Sequence, residues 1–309
     1  MHGVFREGVA VKYRQIESMR QNYPVALMCR VLGVSECGFR AWRNRVPPSR
    51  SQENARLEVE IRAAHRRTRE SRSAERPQSD LADHGVQASP YRVRKLRKKL
   101  GLRCKRKRKF KVTTDPGHKL PVAPNLLNRE FAVTAPNKAW VSDITYIPAD
   151  EGWLYLAGVK DSFNGEPVGH ATSERMNLPP VMRAPFRAAS TKRPPPGLIL
   201  HSDRGSQYCA RDYQKPLCQF GMKASMGRKG DCRECEACPL GCNAPMESFR
   251  GTPKNELVHH RKFGTRHQAK REISGYIGVF YNRQRKQKRL GYLSPAKFTQ
   301  RYYATLLAA

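Results

Sequence analysis

Three acidic residues stand where a carboxylate needs a reason to be. Asp143 falls mid-way through Trp140-Val141-Ser142-Asp143-Ile144-Thr145-Tyr146, a β-branched and aromatic run that predicts a strand. An ionised side chain there is costly unless paired or metal-bound. Asp203 ends the apolar run Leu198-Ile199-Leu200-His201-Ser202 directly before Arg204-Gly205-Ser206, the usual place for function in a layered α/β fold. Glu247 falls in the first turn of a helix opened by Asn243-Ala244-Pro245-Met246. Hard oxygen ligands of this kind suit Mg²⁺ or Mn²⁺, and a two-metal site needs carboxylates from several elements to bridge ions roughly 4 Å apart. Spacing alone leaves that open, because any single acid is more often a surface or capping residue.

Four of the nine cysteines, Cys232, Cys235, Cys238 and Cys242, have the C-x2-C-x2-C-x3-C spacing of bacterial-type iron–sulfur proteins. Asn243 stands where that pattern has proline, and no second cysteine group is present for a partner cluster. Zinc would need all four thiolates to converge in a tight loop. The segment is therefore read as a loop insertion of no function that binds metal at most adventitiously, with an iron–sulfur or zinc site beside the helix of Glu247 as the alternative. Cys29, Cys37, Cys104, Cys209 and Cys218 are scattered and read as small buried or neutral thiols.

Candidate ligands on separate segments need a scaffold to bring them together, and strand grammar begins near Asn137. Trp140 to Ile147 reads as one strand, Asp150-Glu151-Gly152 as a turn and Trp153 to Val159 as a central strand, with a third strand at Val168 to Thr172. A helix position follows, then the break Pro194-Pro195-Pro196-Gly197 and the strand leading to Asp203. The remainder reads as helix and loop. Three strands, helix, strand, helices is the order of a ribonuclease-H-like α/β layer.

Upstream the grammar is helical. Pro24 opens a helix that stops at Gly33, and Ser35 caps a second, Glu36 to Arg45, with Phe39 and Trp42 inward and Arg40 and Arg43 outward. That is a helix-turn-helix pattern, with an ordinary basic helical hairpin as the alternative. A polar helix from about Gln52 to Arg72 and another from Tyr91 to Leu100 follow. Arg92, Lys95, Lys99, Arg106, Lys107 and Arg108 belong to a basic run between Arg92 and Lys111 that holds no acid, a density that favours phosphate contact over a merely solvated face.

The whole chain agrees with that. At 309 residues and a formal net charge of +33, it calls for several small folding units and a polyanionic partner. No apolar run approaches the roughly 18 residues of a spanning helix, and the first residues lack the apolar stretch of a secretion signal, so nucleic acid is expected in place of a membrane surface. The expected units are 1–46, a helix-turn-helix module; 47–120, a basic helical DNA-binding module; 121–258, the α/β core; and 259–309, a helical extension of that core.

These segments resemble the integrase-core transposases of bacterial insertion sequences, in the family whose second reading frame encodes the catalytic protein. The resemblance rests on Ala139 to Tyr146, His201 to Tyr208, Asn243 to Phe249 with Lys254-Asn255-Glu256-Leu257, and on Asn282-Arg283 with Leu290 to Ala296. It implies a ribonuclease-H-like integrase core in which Asp143, Asp203 and Glu247 hold two Mg²⁺ or Mn²⁺ ions for DNA cleavage and strand transfer, without a covalent protein intermediate. Lys254, about two helical turns beyond Glu247, matches a basic residue that the family sets against the transposon end, with a helix-surface lysine as the alternative. His201 is left to structure. The implied partners are double-stranded DNA, at the terminal repeats and at the target, an upstream-frame protein, and further copies of the chain assembled on DNA. A bacterial cytoplasmic, nucleoid-associated location is expected.

The chain also departs from the family pattern. The interval from Asp203 to Glu247 is longer, with the excess in Asp231 to Cys242, and Pro179, Pro180, Pro185, Pro216 and Pro253 fall where helices are expected. An interior proline costs about 3 kcal/mol. Impaired activity, in a transposase-derived DNA-binding protein or regulator, is accordingly the alternative function.

Overall fold

Apolar residues at helical spacing give way to strand-forming runs near Lys138, and in the computed structural model six helices of the described residues precede the first strand at Ala139. The structure describes residues 8–46, 48–70, 74–104, 120–128, 130–175, 178–227 and 244–308, without the side chains of 178, 244–248 and 250. Arg106, Lys107, Arg108 and the cysteine cluster Cys232, Cys235, Cys238 and Cys242 lie outside the described residues. Two compact units are present, Met1–Val59 and Glu60–Ala309.

In the first unit, α1 (Val9–Met19), α2 (Val25–Leu32) and α3 (Glu36–Asn44) close around Tyr13, Ile16, Met28, Cys29 and Phe39, with Trp42 packed against them. Gly33 ends α2 at φ 62°, a left-handed conformation that costs glycine little. Ser35 Oγ then accepts from the Gly38 N–H at 3.3 Å to cap α3.

The boundary between the units falls within α4 (Ser49–Arg67), and the second unit continues with α5 (Glu75–Asp83) and α6 (Pro90–Lys99). Ser89 caps α6 by accepting from the Arg92 N–H at 3.2 Å, with Pro90 at the first helical position. The sheet follows. β1 (Ala139–Ala149), β2 (Gly152–Asp161) and β3 (Pro167–Ser173) form an antiparallel meander, and β4 (Ile199–Ser202) returns parallel to β1 through α7 (Leu178–Lys192). Helices α8 (Ser206–Cys209) and α9 (Arg211–Gln219) lead to β5 (Lys223–Met226), parallel to β4, giving the order β3-β2-β1-β4-β5. This is the ribonuclease-H-like layer, with one strand that the sequence reading took for helix and loop. Lys223-Ala224-Ser225-Met226 is too short and mixed to carry a strand pattern, and pairing with β4 fixes it.

Each face of the sheet has its own core. Trp140, Ala157, Val159 and Leu200 pack against α7 and α9, and at Gly169 the β3 backbone comes too close to Ala184 and Ala188 of α7 to admit a side chain. On the other face, Val141, Ile147, Leu154 and Leu156 pack against α10 (Ala244–Glu256), α11 (Arg266–Gly275) and a π-helical continuation, Tyr276–Gln284. α12 (Pro295–Ala308) ends the described chain.

The helix prolines divide into two groups. Pro179 and Pro180 occupy the first turn of α7, where the missing N–H has no intrahelical acceptor in any case. Pro185, Pro216 and Pro253 are interior to α7, α9 and α10.

Candidate active site

β1 and β4 run parallel with Ala139 opposite Ile199 and Val141 opposite His201. Asp143 lies two residues further along β1, and Asp203 follows directly after Ser202, the last residue of β4, so both aspartates lie towards the same end of this strand pair. Strand alternation places Asp143 on the face of Val141 and Ile147, which pack in one cluster with Phe249 of α10.

The carboxylates are held rather than loose. Asp143 is only 5 % exposed, within the strand, and its Oδ1 accepts from the Ile144 N–H at 2.6 Å. Asp203 Oδ1 accepts from the Gly205 N–H at 3.1 Å. Both acids act on one neighbour, the fully buried Tyr208. Burial first, then the charges of Asp143, Tyr213 and Asp203, push its phenol well above the ordinary tyrosine range. Its hydroxyl shares a hydrogen bond of 3.2 Å with Ser142 Oγ, which ties α8 to β1 behind the acids. His201 is buried, pairs through Nδ1 with Ser225 Oγ at 3.0 Å and meets the ring of Phe131 edge-on, as a structural histidine does.

Glu247 is the fourth residue of α10, the helix that packs against β1, and its side chain is outside the described set. Among the described residues no three His, Cys, Asp or Glu side chains group as a metal site. Lys254 lies further along α10 with its Nζ 4.5 Å from the Tyr146 ring centre.

The basic residues read from sequence are distributed over both units. Arg40 and Arg43 lie on α3 with side chains 72 % and 46 % exposed, beside Glu36 at 2.6 Å and Glu17 at 3.7 Å. Such exposed pairs hold little energy, so they leave both guanidiniums open to exchange for phosphate. Lys95 and Lys99 are exposed on α6 and Arg92 is half-buried at its start. Cys29 and Cys209 are buried thiols, Cys104 is intermediate, and Cys37 and Cys218 are exposed.

Two features escaped the sequence reading. Glu256, at the end of α10, accepts from Arg285 Nε at 2.9 Å, Arg76 Nη1 at 3.2 Å and the Tyr276 hydroxyl at 2.7 Å. Burial works against the Arg285 charge, but Glu256 with Tyr281 and Tyr276 outweighs it and holds the guanidinium above its usual range. A buried cluster of this kind loses several kcal/mol when one partner is removed, so it locks α5 to the helix that carries Glu247. Lys286 reinforces the join through Ser79 and Asp83 at 2.7 Å each. Nothing in the sequence distinguishes these charges from other surface residues. The second feature is the pair Tyr146 and Trp153, ring centres 4.9 Å apart. They flank the turn of the β1–β2 hairpin, and the hairpin register is the signal that finds them.

Comparison with known proteins agrees with this architecture. Two family models, both described as integrase core domain, match residues 133–232 and 247–302, and an HTH-like domain matches residues 51–110. The chain is 51 % identical over 276 residues to the insertion element IS600 uncharacterized 31 kDa protein of Shigella sonnei, covering 89 % of this chain and 98 % of that protein. It is 34 % identical over 297 residues to transposase InsF for insertion sequence IS3A of Escherichia coli (strain K12), covering 95 % of this chain and all of that one. A chain of a simian T-cell lymphotropic virus intasome aligns with a TM-score of 0.42 and 14 % identity, over 72 % of this chain and 70 % of that one.

Proposed function

Because the chain belongs to the integrase-core transposases of bacterial insertion sequences, we propose that it cuts and joins DNA at the ends of its element with Asp143, Asp203 and Glu247 as metal ligands. The observation that supports this reading most is the parallel pairing of β1 with β4, the strand that Asp203 follows, together with the charges of the buried Asp143 and of Asp203 both acting on Tyr208. The donor set is all hard oxygen, fits Mg²⁺ or Mn²⁺, and draws on three separate elements, as a two-ion site requires. When bound, the ions supply charge for in-line displacement at a phosphodiester by water or a 3′-hydroxyl.

The protein's own residues do the rest. The hydrogen bonds from Ile144 and Gly205 orient the two aspartates, and the Tyr208–Ser142 pair fixes the backbone behind them. Lys254 holds a phosphate of the element end near the acids. Arg40, Arg43, Arg92, Lys95, Lys99, Arg106, Lys107 and Arg108 hold the duplex through phosphates. Double-stranded terminal and target DNA are the substrates, copies of the chain act together on paired ends, and an upstream-frame protein is the expected partner. No helix of the described residues is long and apolar enough to cross a membrane.

The interior prolines Pro185, Pro216 and Pro253 favour a second reading, in which the chain binds the ends and its catalysis is impaired. Cleavage and strand transfer on a duplex carrying the cognate terminal repeat, with Mg²⁺ or Mn²⁺, separate the two. The catalytic reading expects product from the native chain and none from Glu247→Gln or Asp143→Asn. If native and variant proteins bind the duplex and neither cuts, the regulator reading replaces it.

A further inference from the structure

A groove of about 510 Å³ opens at the tip of the β1–β2 hairpin, between it and the end of α10 with the residues that follow. Its aromatic wall is Tyr146 and Trp153, and its charged rim holds Lys254, Lys262 and Arg261, the last in an exposed pair with Glu272 at 2.7 Å, with Asp150 as the acid of the lining. Trp153 is 49 % exposed, although it begins a strand whose later residues are almost all buried. An open tryptophan beside clustered cations is the chemistry of a stacking platform for nucleic acid. The volume is within the range of small-molecule sites.

Position decides which part of the DNA reaches it. Tyr146 lies three residues beyond Asp143 on β1, about 10 Å of strand, and Lys254 lies about two turns beyond Glu247 on α10. The groove therefore shares Lys254 with the element end that the catalytic reading assigns to that residue. Bases inside an intact duplex hide their faces in the stack, so away from a blunt terminus a tryptophan face accepts only a base that has left it.

We propose that this groove takes one unpaired nucleotide of the strand flanking the reacting phosphate, with its base stacked on Trp153 and its phosphate held by Lys262 and Arg261. The proposal rests on the catalytic reading above for the identity of the DNA. It implies that the protein prefers ends with a frayed or overhanging terminus to blunt ones.

The test uses the full chain and terminal-repeat duplexes, blunt or with a short single-stranded overhang that carries 2-aminopurine. Native protein is expected to quench the 2-aminopurine and to bind the overhang duplex more tightly than the blunt one. Trp153→Ala should lose that preference by roughly 5- to 100-fold and leave blunt-duplex affinity unchanged, while Trp153→Phe keeps most of it. Lys262→Ala should weaken overhang binding and lower its salt dependence. Unquenched 2-aminopurine in the native complex overturns the proposal without reference to any variant, as does an overhang preference that survives Trp153→Ala. Cleavage without quenching rejects the groove and keeps the transposase, whereas quenching without cleavage keeps the groove and rejects the catalytic reading.

Discussion

Lys160 shows how a single buried charge shapes the stability of the core. It lies on β2 opposite Val141 and is 3 % exposed. Burial first, then the neighbouring Arg289 and Arg285, pull its ammonium down from the usual lysine value to about 7. The unfolded chain holds that proton up to about pH 10.4, so between these values the unfolded state binds more protons and stability rises with pH. Below pH 7 both states are protonated and the full cost of burying the charge is present. Lys160→Met should therefore raise the melting temperature at pH 6.5, by an amount corresponding to a few kcal/mol, with the gain shrinking steadily towards pH 9.5. Thermal melts across that range check it, and a gain independent of pH would show that the ammonium is not the source. At this scale the sequence was informative where a charge broke an apolar pattern, as Asp143 and Asp203 do. Lys160 was not singled out, because the expected strand ended at Val159 and the burial that sets most of its cost, with the smaller effect of Arg289 and Arg285, exists only in the fold.

Helices and strands were legible where patterns were long. β1, β2, β3, α7, β4 and the capped helices α3 and α6 all appear close to their expected spans, since Ser35, Ser89, Pro90 and the break Pro194 to Gly197 act locally. α5, β5 and the π-helical segment did not, because tertiary contacts hold them: α5 through Arg76 and Glu256, β5 through β4, and the π segment through burial of Tyr276, Ile277, Phe280 and Tyr281. Prolines test how far tertiary packing overrides local preference. Pro185 and Pro253 are buried, so replacing either also leaves a gap. Pro216 is half-exposed in α9, between the buried Tyr213 and Leu217. Pro216→Ala restores an N–H for the first turn of that helix and removes little packing. It should stabilise the protein by about 1–3 kcal/mol, read as a higher denaturant midpoint at unchanged slope. A destabilised variant would mean that the bend at Pro216 is what lets Tyr213 and Leu217 enter the core together.

Over the whole molecule, a net charge of +33 exceeds what one active site needs, and the named cations lie in both compact units. Each phosphate that a lysine or arginine neutralises on duplex DNA releases a counterion, so the logarithm of the affinity falls with the logarithm of salt concentration by about 0.9 per contact. Arg40 and Arg43 belong to one unit, Lys95 and Lys99 to the other. If both units lie on the duplex at once, the double variants Arg40→Ala with Arg43→Ala and Lys95→Ala with Lys99→Ala should each lower the salt slope by about two. Their combination should lower it by about four, with equal loss on specific and unrelated sequences. Titrations of labelled duplex from 50 to 300 mM salt, on the order of the range over which such contacts weaken, measure this directly. A variant that loses affinity only for the terminal repeat, at unchanged slope, would assign its residues to base edges instead. A slope unchanged in one double variant alone would show that its unit does not touch the duplex, which leaves end recognition to the other.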